Sequence, residues 1–468
     1  MNTKSVIQAS GIAFGTSGAR GLVVDFTPEV CAAFSIAFAQ SIKGEFAFST
    51  MAIAIDNRPS SFDIAKACVA GLKQLNIEVV YYGVVPTPAL AYTAMQDNMP
   101  CIMVTGSHIP FDRNGLKFYR PDGEITKQDE QVILTADFNF NDLSLADISL
   151  PTSDKAKEAY SARYTNLFNE ETLAGKRVGI YEHSSAGRDI YKSLFKQLGA
   201  KVICLGRSDE FIPIDTEAVS DEDKQRAKEW VSEYRLDMLF STDGDGDRPL
   251  VAGEDGEWLR GDILGLLCSQ VLSIEALATP VSCNTAIELS GSFKTVARTK
   301  IGSPYVIEAF AELNKTFARV AGFEANGGYL LASDFEFNGK VLKALPTRDA
   351  VLPALIVATM SNSIASLLKG LPQRFTASDR LKDFATEKSK VLIVELCENP
   401  DALLESLGLG KAKSVCKTDG LRLVAENGDV VHLRPSGNAP ELRCYVESSS
   451  QTNSEMLLKS VLKNIKEM

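Results

Sequence analysis

The stretch LFSTDGDGDRPLV, from Leu239 to Val251, is an apolar run that breaks into three aspartates separated by single glycines and then becomes apolar again. Alternate residues of an extended turn can converge on one point, so Asp243, Asp245 and Asp247 predict a cage of oxygen ligands for a hard divalent cation. The apolar flanks predict two strands with the cage in the loop between them. We therefore expect a cation site at the end of a strand, where open α/β sheets place their ligands.

Two other structures fit this stretch less well. An Asp-Gly hairpin turn is common, but a turn does not need three like charges within five residues. A calcium-binding EF-hand loop would use Glu254 as its closing ligand, yet that loop has glycine at its sixth position and a helix on each side. Here the sixth position is Arg248, followed by Pro249. The sequence therefore favours a cage between strands.

Composition limits the classes of protein and partner. The 468 residues are 45% hydrophobic and 23% charged, which predicts three or four globular domains at roughly 100 to 200 residues each. A net charge of -11 argues against nucleic acid as the main partner. The N-terminus lacks the apolar core of a secretory signal, and the apolar stretch from Leu352 contains Ser and Asn and predicts a buried helix. We expect no membrane association.

Cysteine and histidine usage indicates a reducing compartment. The nine cysteines are scattered singly among mostly apolar neighbours, which is typical of reduced, buried thiols in a cytoplasmic protein. The three histidines, at positions 108, 183 and 432, lie far apart in the sequence. A histidine-based zinc site is therefore not expected.

Short β-branched runs alternate with amphipathic stretches along most of the chain. MAIAID from Met51, IEVVYY from Ile77 and CIMVT from Cys101 are predicted strands separated by helices, a pattern typical of crossover units and a mainly parallel sheet. The rhythm restarts twice, with weaker strands predicted at VSCN and ARVAGFE, whereas the end of the chain is predicted to form strands at VLIVEL, LRLVAE, VVHLRP and LRCYVES before a closing helix. The predicted domains are 1–150, 151–258, 259–370 and 371–468.

Two further polar loops follow predicted strands, and their side chains include a candidate nucleophile and candidate sugar-binding groups. In VTGSHIPFDRNGLKFY, Ser107 comes directly after a strand, so it is either a nucleophile presented at a sheet edge or a plain turn former. In AGFEANGGYLLASD, Glu324 and Asn326 suit bidentate hydrogen bonds to adjacent sugar hydroxyls. The Asn-Gly-Gly sequence is equally consistent with a simple turn.

A fourth loop, RPSGNAPELRCYVES from Arg434, could bind an anion. Its candidate groups are the side chains of Arg434, Ser436 and Arg443 and the backbone of Gly437 and Asn438, which together could form a nest with charge-assisted hydrogen bonds. A turn with two surface arginines is the alternative. Taken together, the four loops supply a serine, a cation cage, a polyol-binding loop and an anion site, which is the set of groups that phosphoryl transfer requires.

These motifs resemble, over the full length of the chain and in the same order, those of the α-D-phosphohexomutases, the family of phosphomannomutases and phosphoglucomutases. FGTSGARG from Phe14 resembles the N-terminal signature of the family, TGSHIP its phosphoserine loop, DGDGDRP its metal loop, GFEANGG its sugar loop and RPSGNAPELR its phosphate loop. The resemblance implies an α/β fold with three related mixed α/β domains around a central cleft plus a smaller C-terminal α+β domain. It also implies an isomerase that moves phosphate between C6 and C1 of a hexose.

The resemblance further implies a role for each loop. Ser107 would be held as phosphoserine, and Mg²⁺ would bind Asp243, Asp245 and Asp247 together with a phosphate oxygen of Ser107, while a hexose 1,6-bisphosphate would serve as intermediate and activator. The groups implied to neutralise the transferring phosphoryl group are Arg20, His108, Lys117 and Arg248, with Lys117 or His108 as acid or base. The groups implied to bind the substrate are Glu324 and Asn326 for the sugar, and Arg434, Ser436, Gly437, Asn438 and Arg443 for the phosphate that is not reacting.

Several positions depart from the usual motifs of the family. They are Gly106 and Ile109 in the phosphoserine loop, Asn326 and Gly328 in the sugar loop, where serine and histidine are usual, and Asn438 and Ala439 in the phosphate loop. These changes bear on the choice of substrate more than on the type of reaction. We expect mannose 6-phosphate and mannose 1-phosphate as substrates of a monomer or homodimer, with glucose or glucosamine phosphates as alternatives. A metal-dependent sugar phosphatase and a non-catalytic calcium- or carbohydrate-binding protein are the rival classes.

Overall fold

The N-terminal part of the chain forms a seven-stranded sheet in the computed structural model, which describes residues 1–15, 18–360, 363–436 and 440–467. Its strands are β1 (Ala13–Phe14), β2 (Ala19–Leu22), β3 (Thr50–Ile55), β4 (Glu78–Val84), β5 (Cys101–Val104), β6 (Arg113–Arg120) and β7 (Gly123–Glu124). Its helices are α1 (Thr3–Ala9), α2 (Pro28–Ile42), α3 (Ser61–Lys73), α4 (Thr87–Gln96) and α5 (Lys127–Thr135), with a short 3₁₀ turn at Val23–Asp25.

This first sheet is mixed rather than mainly parallel. The strand order is β1-β2-β6-β5-β3-β4, with β7 on β6, and the three predicted strands β3, β4 and β5 are parallel to one another. Strand β6 is antiparallel to β5 and β2, because the loop between β5 and β6 is too short for the crossover helix that a parallel connection needs. The ends of β5 and β6 therefore frame the predicted phosphoserine loop.

The second sheet carries the aspartate loop. Its strands are β8 (Arg177–Tyr181), β9 (Lys201–Leu205), β10 (Met238–Thr242) and β11 (Pro249–Ala252), and its helices are α6 (Lys155–Thr165), α7 (Arg188–Gln197) and α8 (Asp221–Tyr234). Strands β10 and β11 pair antiparallel with Thr242 opposite Pro249. The prediction of strands on both sides of the aspartates is thereby confirmed.

The third sheet has the order β13-β12-β14-β15-β18. The strands of this unit are β12 (Ala276–Pro280), β13 (Thr295–Thr299), β14 (Val320–Phe323), β15 (Tyr329–Leu331), β16 (Phe335–Phe337), β17 (Lys340–Leu342) and β18 (Leu345–Asp349). Its helices are α9 (Gly261–Val271), α10 (Ala286–Leu289), α11 (Ser303–Leu313), α12 (Val351–Met360) and α13 (Ile364–Lys369).

The strand predicted at VSCN is wrong. The strand of this region is β12, which ends at Pro280, and VSCN follows it as a turn, in which the Cys283 amide donates to the Pro280 carbonyl at 3.0 Å. The side chain of Asn284 then accepts from the Ala286 amide at 2.8 Å, which favours a turn over an extended chain. The buried helix predicted from Leu352 is confirmed as α12.

The C-terminal part of the chain forms a smaller α+β unit with an antiparallel sheet of order β19-β23-β22-β21-β20. Its strands are β19 (Phe375–Leu381), β20 (Ala412–Cys416), β21 (Leu421–Ala425), β22 (Val430–Pro435) and β23 (Leu442–Ser448). Its helices are α14 (Thr386–Glu398), α15 (Pro400–Ser406) and α16 (Gln451–Glu467). Across the described ranges, every helix is too short or too polar to span a membrane.

The predicted strand VLIVEL is wrong, because this segment lies inside α14. Leu392, Ile393 and Leu396 are buried while Val391 and Val394 are exposed, a spacing of three and four that matches one face of a helix. The apolar composition of the segment misled the prediction, because valine and isoleucine also favour strands.

Helix α6 is the first helix of the second unit, and it also contacts the third unit. The Tyr160 hydroxyl donates to the Asp349 carboxylate at 2.6 Å, and the Tyr164 hydroxyl donates to the same carboxylate. Apolar side chains of the first three units form one continuous cluster, which includes Tyr82, Phe240 and Phe323. Each main sheet lies within one of the four predicted domains, and the exact limits of those domains stay a prediction.

Tight packing of the third sheet gives a testable consequence at Gly322. A Cβ atom on this residue would lie 2.4 Å from Val306 Cγ1 and 2.6 Å from the backbone oxygen of Ala278. We expect Gly322→Ala to lower the free energy of unfolding by about 1–3 kcal/mol, because α11 and β12 must both shift. Thermal unfolding followed by circular dichroism measures the loss. Gly44→Ala, where nothing lies within 4 Å of the added atom, is the control, and equal melting temperatures for the two variants would contradict the packing.

Candidate active site

Three carboxylates meet in the turn between β10 and β11. Asp243, Asp245 and Asp247 are fully buried, and each offers an oxygen within 4.8 Å of the oxygens offered by the other two. Asp245 Oδ1 and Asp247 Oδ1 have no hydrogen-bond partner in the described part of the chain. Buried carboxylate oxygens without partners are costly unless a cation binds them. This triad can therefore hold a metal ion.

The charges around the triad support the same conclusion. Burial raises the pKa of Asp243 well above its usual range, and repulsion from Asp245 and Asp247 raises it further. Burial also opposes ionisation of Asp245 and Asp247, but Lys117 holds the pKa of Asp245 below its usual range and Arg348 does the same for Asp247. Full ionisation of all three therefore requires additional positive charge. A hard divalent cation such as the predicted magnesium ion fits this donor set.

Ser107 lies next to the triad in a strained backbone conformation. It follows β5 with a φ angle of +55°, which is uncommon for a residue other than glycine and is often found at functional sites. Its hydroxyl donates to Asp243 Oδ2 at 2.6 Å, and its amide donates to Thr105 Oγ1 at 2.8 Å. The structure thus brings the predicted nucleophile and the predicted metal loop into direct contact.

Arg58, which was not predicted from the sequence, supports the Ser107 loop through hydrogen bonds to its backbone. Its guanidinium pairs with Asp56 at 3.1 Å and donates to the carbonyl oxygens of Ser107, Ile109, Pro110 and Arg113. A Cβ atom at Gly106 would lie 2.6 Å from Arg58 Cζ. Glycine at this position is therefore explained by the arginine that fills the space. The signal in the sequence was an Asp-Asn-Arg run directly after the strand MAIAI.

Lys117 and Arg20 bring positive charge from the first sheet. Lys117 lies on β6 and its ammonium donates to Asp245 Oδ2 at 2.5 Å and to Asp247 Oδ2 at 2.7 Å. Arg20 lies on β2, where burial and the charge of Arg248 lower its pKa to about 10. Both side chains bring positive charge to the triad, and their role in neutralising the transferring group stays a prediction.

His108 and Arg248 contact each other beside Ser107. Arg248 Nη1 lies 3.0 Å from His108 Nδ1, and that ring nitrogen lies 3.5 Å from Ser107 Oγ. Because the guanidinium can only donate, Nδ1 is the acceptor and the ring is neutral. Burial, followed by repulsion from Arg248, lowers the pKa of His108 to about 3.

The predicted sugar loop connects β14 to β15. Glu324 is buried and accepts from Arg348 Nη1 at 3.1 Å, and the same guanidinium donates to Asp247 of the triad. Asn326 uses its side-chain oxygen to accept from the Gly328 amide at 3.0 Å, and its backbone oxygen accepts from the Thr216 hydroxyl at 2.8 Å. Asn326 therefore shapes the loop, and its predicted contact with the sugar stays a prediction.

Three arginines lie in a row on the C-terminal sheet. Arg434 on β22 is directly opposite Arg443 on β23, which is directly opposite Arg380 on β19. Directly paired residues project from the same face of a sheet, and like charges in such pairs are unfavourable. Arg434 Nε is partly compensated by Asp419 Oδ2 at 2.9 Å. The row places three positive charges on one face of the sheet, and binding of phosphate there stays a prediction.

The rest of the predicted phosphate loop is only partly described. Ser436 is buried, and its amide donates to the Glu441 carbonyl at 2.9 Å. Gly437 and Asn438 lie outside the described residues, so their predicted contacts with phosphate stay predictions. Asp419, which binds Arg434, also accepts from the Ile301 amide at 3.0 Å, and this contact links the loop region to the third unit.

Comparisons with known proteins identify the class to which this fold and site belong. The models for phosphoglucomutase/phosphomannomutase match over residues 11–142 for alpha/beta/alpha domain I, 260–375 for alpha/beta/alpha domain III and 392–463 for the C-terminal domain. The chain belongs to the phosphoglucomutase/phosphomannomutase family and is, as predicted, an isomerase of the phosphohexomutase type with the expected mixed α/β fold.

The individual relatives cover nearly the whole chain. A phosphomannomutase of Salmonella muenchen is 56% identical over 469 residues, which cover 99% of this chain and 98% of the relative. A phosphomannomutase of Sinorhizobium fredii is 40% identical over 463 residues, with 96% and 97% covered. The crystal structure of a putative phosphomannomutase from Thermus thermophilus has a TM-score of 0.77 and 21% identity, and the match covers 98% of this chain and 99% of that chain.

The protonation of the two remaining histidines, His183 and His432, can be tested by changing the pH. His183 Nε2 lies 2.9 Å from the Thr242 carbonyl and His432 Nε2 lies 2.6 Å from the Asp419 carbonyl, and burial lowers the pKa of each to about 4. We expect both rings to stay neutral from pH 7.5 to 5 in histidine NMR spectra. A titration of either ring near pH 6.5 in the folded protein would contradict this.

The same shift makes stability depend on pH. The unfolded chain takes up protons on His183 and His432 below about pH 6.5, whereas the folded chain takes them up only near pH 4. The free energy of unfolding should therefore decrease as pH falls from 6.5 to 4, by about 1.4 kcal/mol per pH unit for each histidine. Urea denaturation at pH 7 and pH 5 measures the decrease, and His432→Asn should reduce it.

Removal of one carboxylate should weaken metal binding. We expect Asp245→Asn to raise the Kd for Mg²⁺ at least about tenfold, because an amide supplies less negative charge to a hard cation than a carboxylate does. Titration calorimetry with MgCl₂ measures the change. Asp209→Asn is the matched control, since Asp209 is almost fully exposed. Unchanged affinity in Asp245→Asn would place the metal elsewhere.

Proposed function

We propose that this chain is a magnesium-dependent phosphomannomutase, which interconverts mannose 6-phosphate and mannose 1-phosphate through phosphoserine at position 107 and a hexose 1,6-bisphosphate. The observation that carries the proposal is the contact between the Ser107 hydroxyl and Asp243 Oδ2 at 2.6 Å. This contact places a strained, buried serine against the metal-binding carboxylates. Reversible phosphoryl transfer depends mainly on such positioning and on neutralisation of charge.

The reaction consists of two transfers that mirror each other. In the first, the bond between Ser107 Oγ and phosphorus breaks while the free hydroxyl oxygen of the sugar phosphate forms a bond to the same phosphorus. The hydroxyl proton passes to a base, and Ser107 Oγ recovers a proton from an acid. In the second, the bisphosphate has reversed its orientation, and its other phosphoryl group returns to Ser107.

The charged side chains have separate tasks in these transfers. Asp243, Asp245 and Asp247 would hold a magnesium ion, which would supply positive charge to the oxygens of the transferring group. Lys117, Arg20 and Arg248 lower the negative potential at the same point, and the neutral ring of His108 lies beside Ser107 Oγ.

Proton transfer is divided between two candidate groups. His108 is neutral and its Nδ1 lies 3.5 Å from Ser107 Oγ, which places a ring nitrogen beside the serine oxygen. The low pKa of His108 makes it a weak base. The Lys117 ammonium donates to two carboxylates of the triad, and it has protons to give, whereas Nδ1 of the neutral His108 ring has none. We therefore assign the acid role to Lys117 and contact with the serine oxygen to His108.

Two different loops bind the sugar and the phosphate that is not reacting. Glu324, with Asn326 in the same loop, accepts hydrogen bonds from sugar hydroxyls in both orientations of the substrate. The phosphate that is not reacting is held by Arg434, Ser436, Gly437, Asn438 and Arg443. Mannose is supported by the names of the relatives that are 56% and 40% identical.

The setting of the enzyme follows from the same features. All nine cysteines are unpaired, which supports a reducing compartment such as the cytoplasm. The net charge of -11 supports a small-molecule partner rather than nucleic acid. We propose a monomer or homodimer whose four domains have the limits predicted from the sequence.

Substitution of the serine tests the mechanism. We expect Ser107→Ala to abolish mutase turnover and labelling of the protein by ³²P from a hexose 1,6-bisphosphate, because no oxygen remains to accept the phosphoryl group. The melting temperature should change little. Ser144→Ala, in an exposed segment, should keep full activity and labelling. Turnover near the normal rate in Ser107→Ala would refute the phosphoserine mechanism.

The choice of sugar is tested by turnover with Mg²⁺ and a trace of hexose 1,6-bisphosphate. We expect a higher kcat/KM for mannose 1-phosphate than for glucose 1-phosphate or glucosamine 1-phosphate at equal concentrations. Preference for either other sugar would replace mannose and keep the reaction type. Net release of inorganic phosphate without isomerisation would instead indicate a phosphatase.

A further inference from the structure

Arg348 connects the sugar loop to the metal loop. It lies near the end of β18 with 1% of its surface exposed, and its Nε donates to Asp247 Oδ2 at 3.0 Å. Its Nη1 donates to Ser303 Oγ at 3.0 Å and to Glu324 Oε2 at 3.1 Å. One side chain thus binds the carboxylate assigned to the metal and the carboxylate assigned to the sugar.

The path of this side chain explains the glycine at position 328. A Cβ atom on Gly328 would lie 2.4 Å from Arg348 Cδ and 2.5 Å from Arg348 Cγ. These are inner atoms of the arginine, whose outer end is held by three hydrogen bonds, so they cannot move aside cheaply. Gly328 and Arg348 are therefore a matched pair, in which the arginine occupies the volume that a larger residue in the sugar loop would need.

The backbone at Arg348 is fixed from the opposite side. The adjacent Asp349 accepts hydrogen bonds from the hydroxyls of Tyr160 and Tyr164 on α6 and from the Val351 amide. The other acceptor, Ser303, is the first residue of α11. Because both the backbone and the guanidinium are anchored, Arg348 presents its donors in one geometry.

The chemistry of arginine limits what this residue can do. Guanidinium is a donor only and stays charged in proteins, so Arg348 cannot serve as a proton acceptor. Its planar fork can bind two carboxylates at once with defined angles, which an ammonium group cannot reproduce. Its contribution is therefore to orientation and charge.

From these contacts we infer that Arg348 is a positioning residue that acts through Glu324. The inference rests on the proposed function. The guanidinium holds the Glu324 carboxylate at a fixed distance from Asp247, so that the sugar hydroxyls bound by Glu324 are presented to the reacting centre with one geometry for either end of the substrate. Loss of the guanidinium leaves Glu324 present but wrongly placed, which makes its contact with the sugar ineffective.

A double-mutant cycle on sugar binding tests this coupling. In the Ser107→Ala background, which prevents turnover, the Kd of mannose 1-phosphate is measured by calorimetry with Mg²⁺ for Arg348→Met, Glu324→Gln and the pair. We expect each single change to raise the Kd about tenfold and the pair to raise it by no more than either change alone, because both remove the same contact. An increase of about 100-fold in the pair, no effect of Arg348→Met, or no binding of mannose 1-phosphate to the parent would overturn the inference.

Controls separate positioning from a general loss of structure. Arg319→Met removes an arginine of the same unit that binds the Leu272 carbonyl at 3.0 Å, and it should leave the Kd unchanged. Melting temperatures are compared for all variants. If Arg348→Met does not fold, Arg348→Lys replaces it in the cycle, and a raised Kd with the same lack of additivity is expected because the fork is lost while the charge remains.

Turnover of mannose 1-phosphate by the unsubstituted enzyme is measured in parallel. Absence of turnover together with a non-additive cycle would refute the proposed function and leave the role of Arg348 standing. Normal turnover together with an additive cycle would refute the role of Arg348 alone.

Discussion

Mutual repulsion among the buried carboxylates of Asp243, Asp245 and Asp247 is the constraint on which the rest of the structure depends. Three carboxylates whose oxygens lie within 4.8 Å of one another repel each other when ionised, and positive groups that approach from outside the turn reduce that repulsion. The second sheet provides Arg248 from its own loop, and further cations come from other units. Lys117 arrives from the first sheet and Arg348 from the third. Ion pairs to the triad therefore connect the three α/β units, in addition to the apolar cluster that they share.

Arginines also determine where glycine is required. Arg58 fills the space above Gly106 and Arg348 fills the space above Gly328, so two apparent departures from the family motifs have the same physical cause. In each case a large charged side chain crosses a loop that carries a reacting or binding group. The arginine supplies fixed hydrogen-bond donors to the loop, and the loop residue beside it must be glycine because no space remains for a Cβ atom. Arg58 thereby supports the strained backbone at Ser107, and Arg348 connects Glu324 to Asp247.

The C-terminal unit contributes in a different way. Its core is separate from that of the first three units, and polar contacts such as that from the Thr285 amide to Glu447 at 2.9 Å join it to the third unit. The row formed by Arg380, Arg443 and Arg434 lies on its sheet, away from the aspartate turn in the sequence. On the proposed function, the first three units carry the reacting groups and the fourth carries the arginines proposed to bind the phosphate that is not reacting.

The amino-acid sequence by itself determined the local features of this protein. The spacing of the aspartates, the serine directly after a β-branched run and the apolar periodicity predicted the cage, the candidate nucleophile and the alternation of strands and helices, because these depend on neighbouring residues. Prediction failed where local composition was ambiguous, as in VLIVEL, whose valines and isoleucine suit a strand but whose buried positions form one face of α14. It also failed to single out Arg348, Arg58 and Arg380. The partners of these arginines lie in other loops and strands, so only the tertiary structure, which brings distant segments into contact, decided which arginines belong to the site.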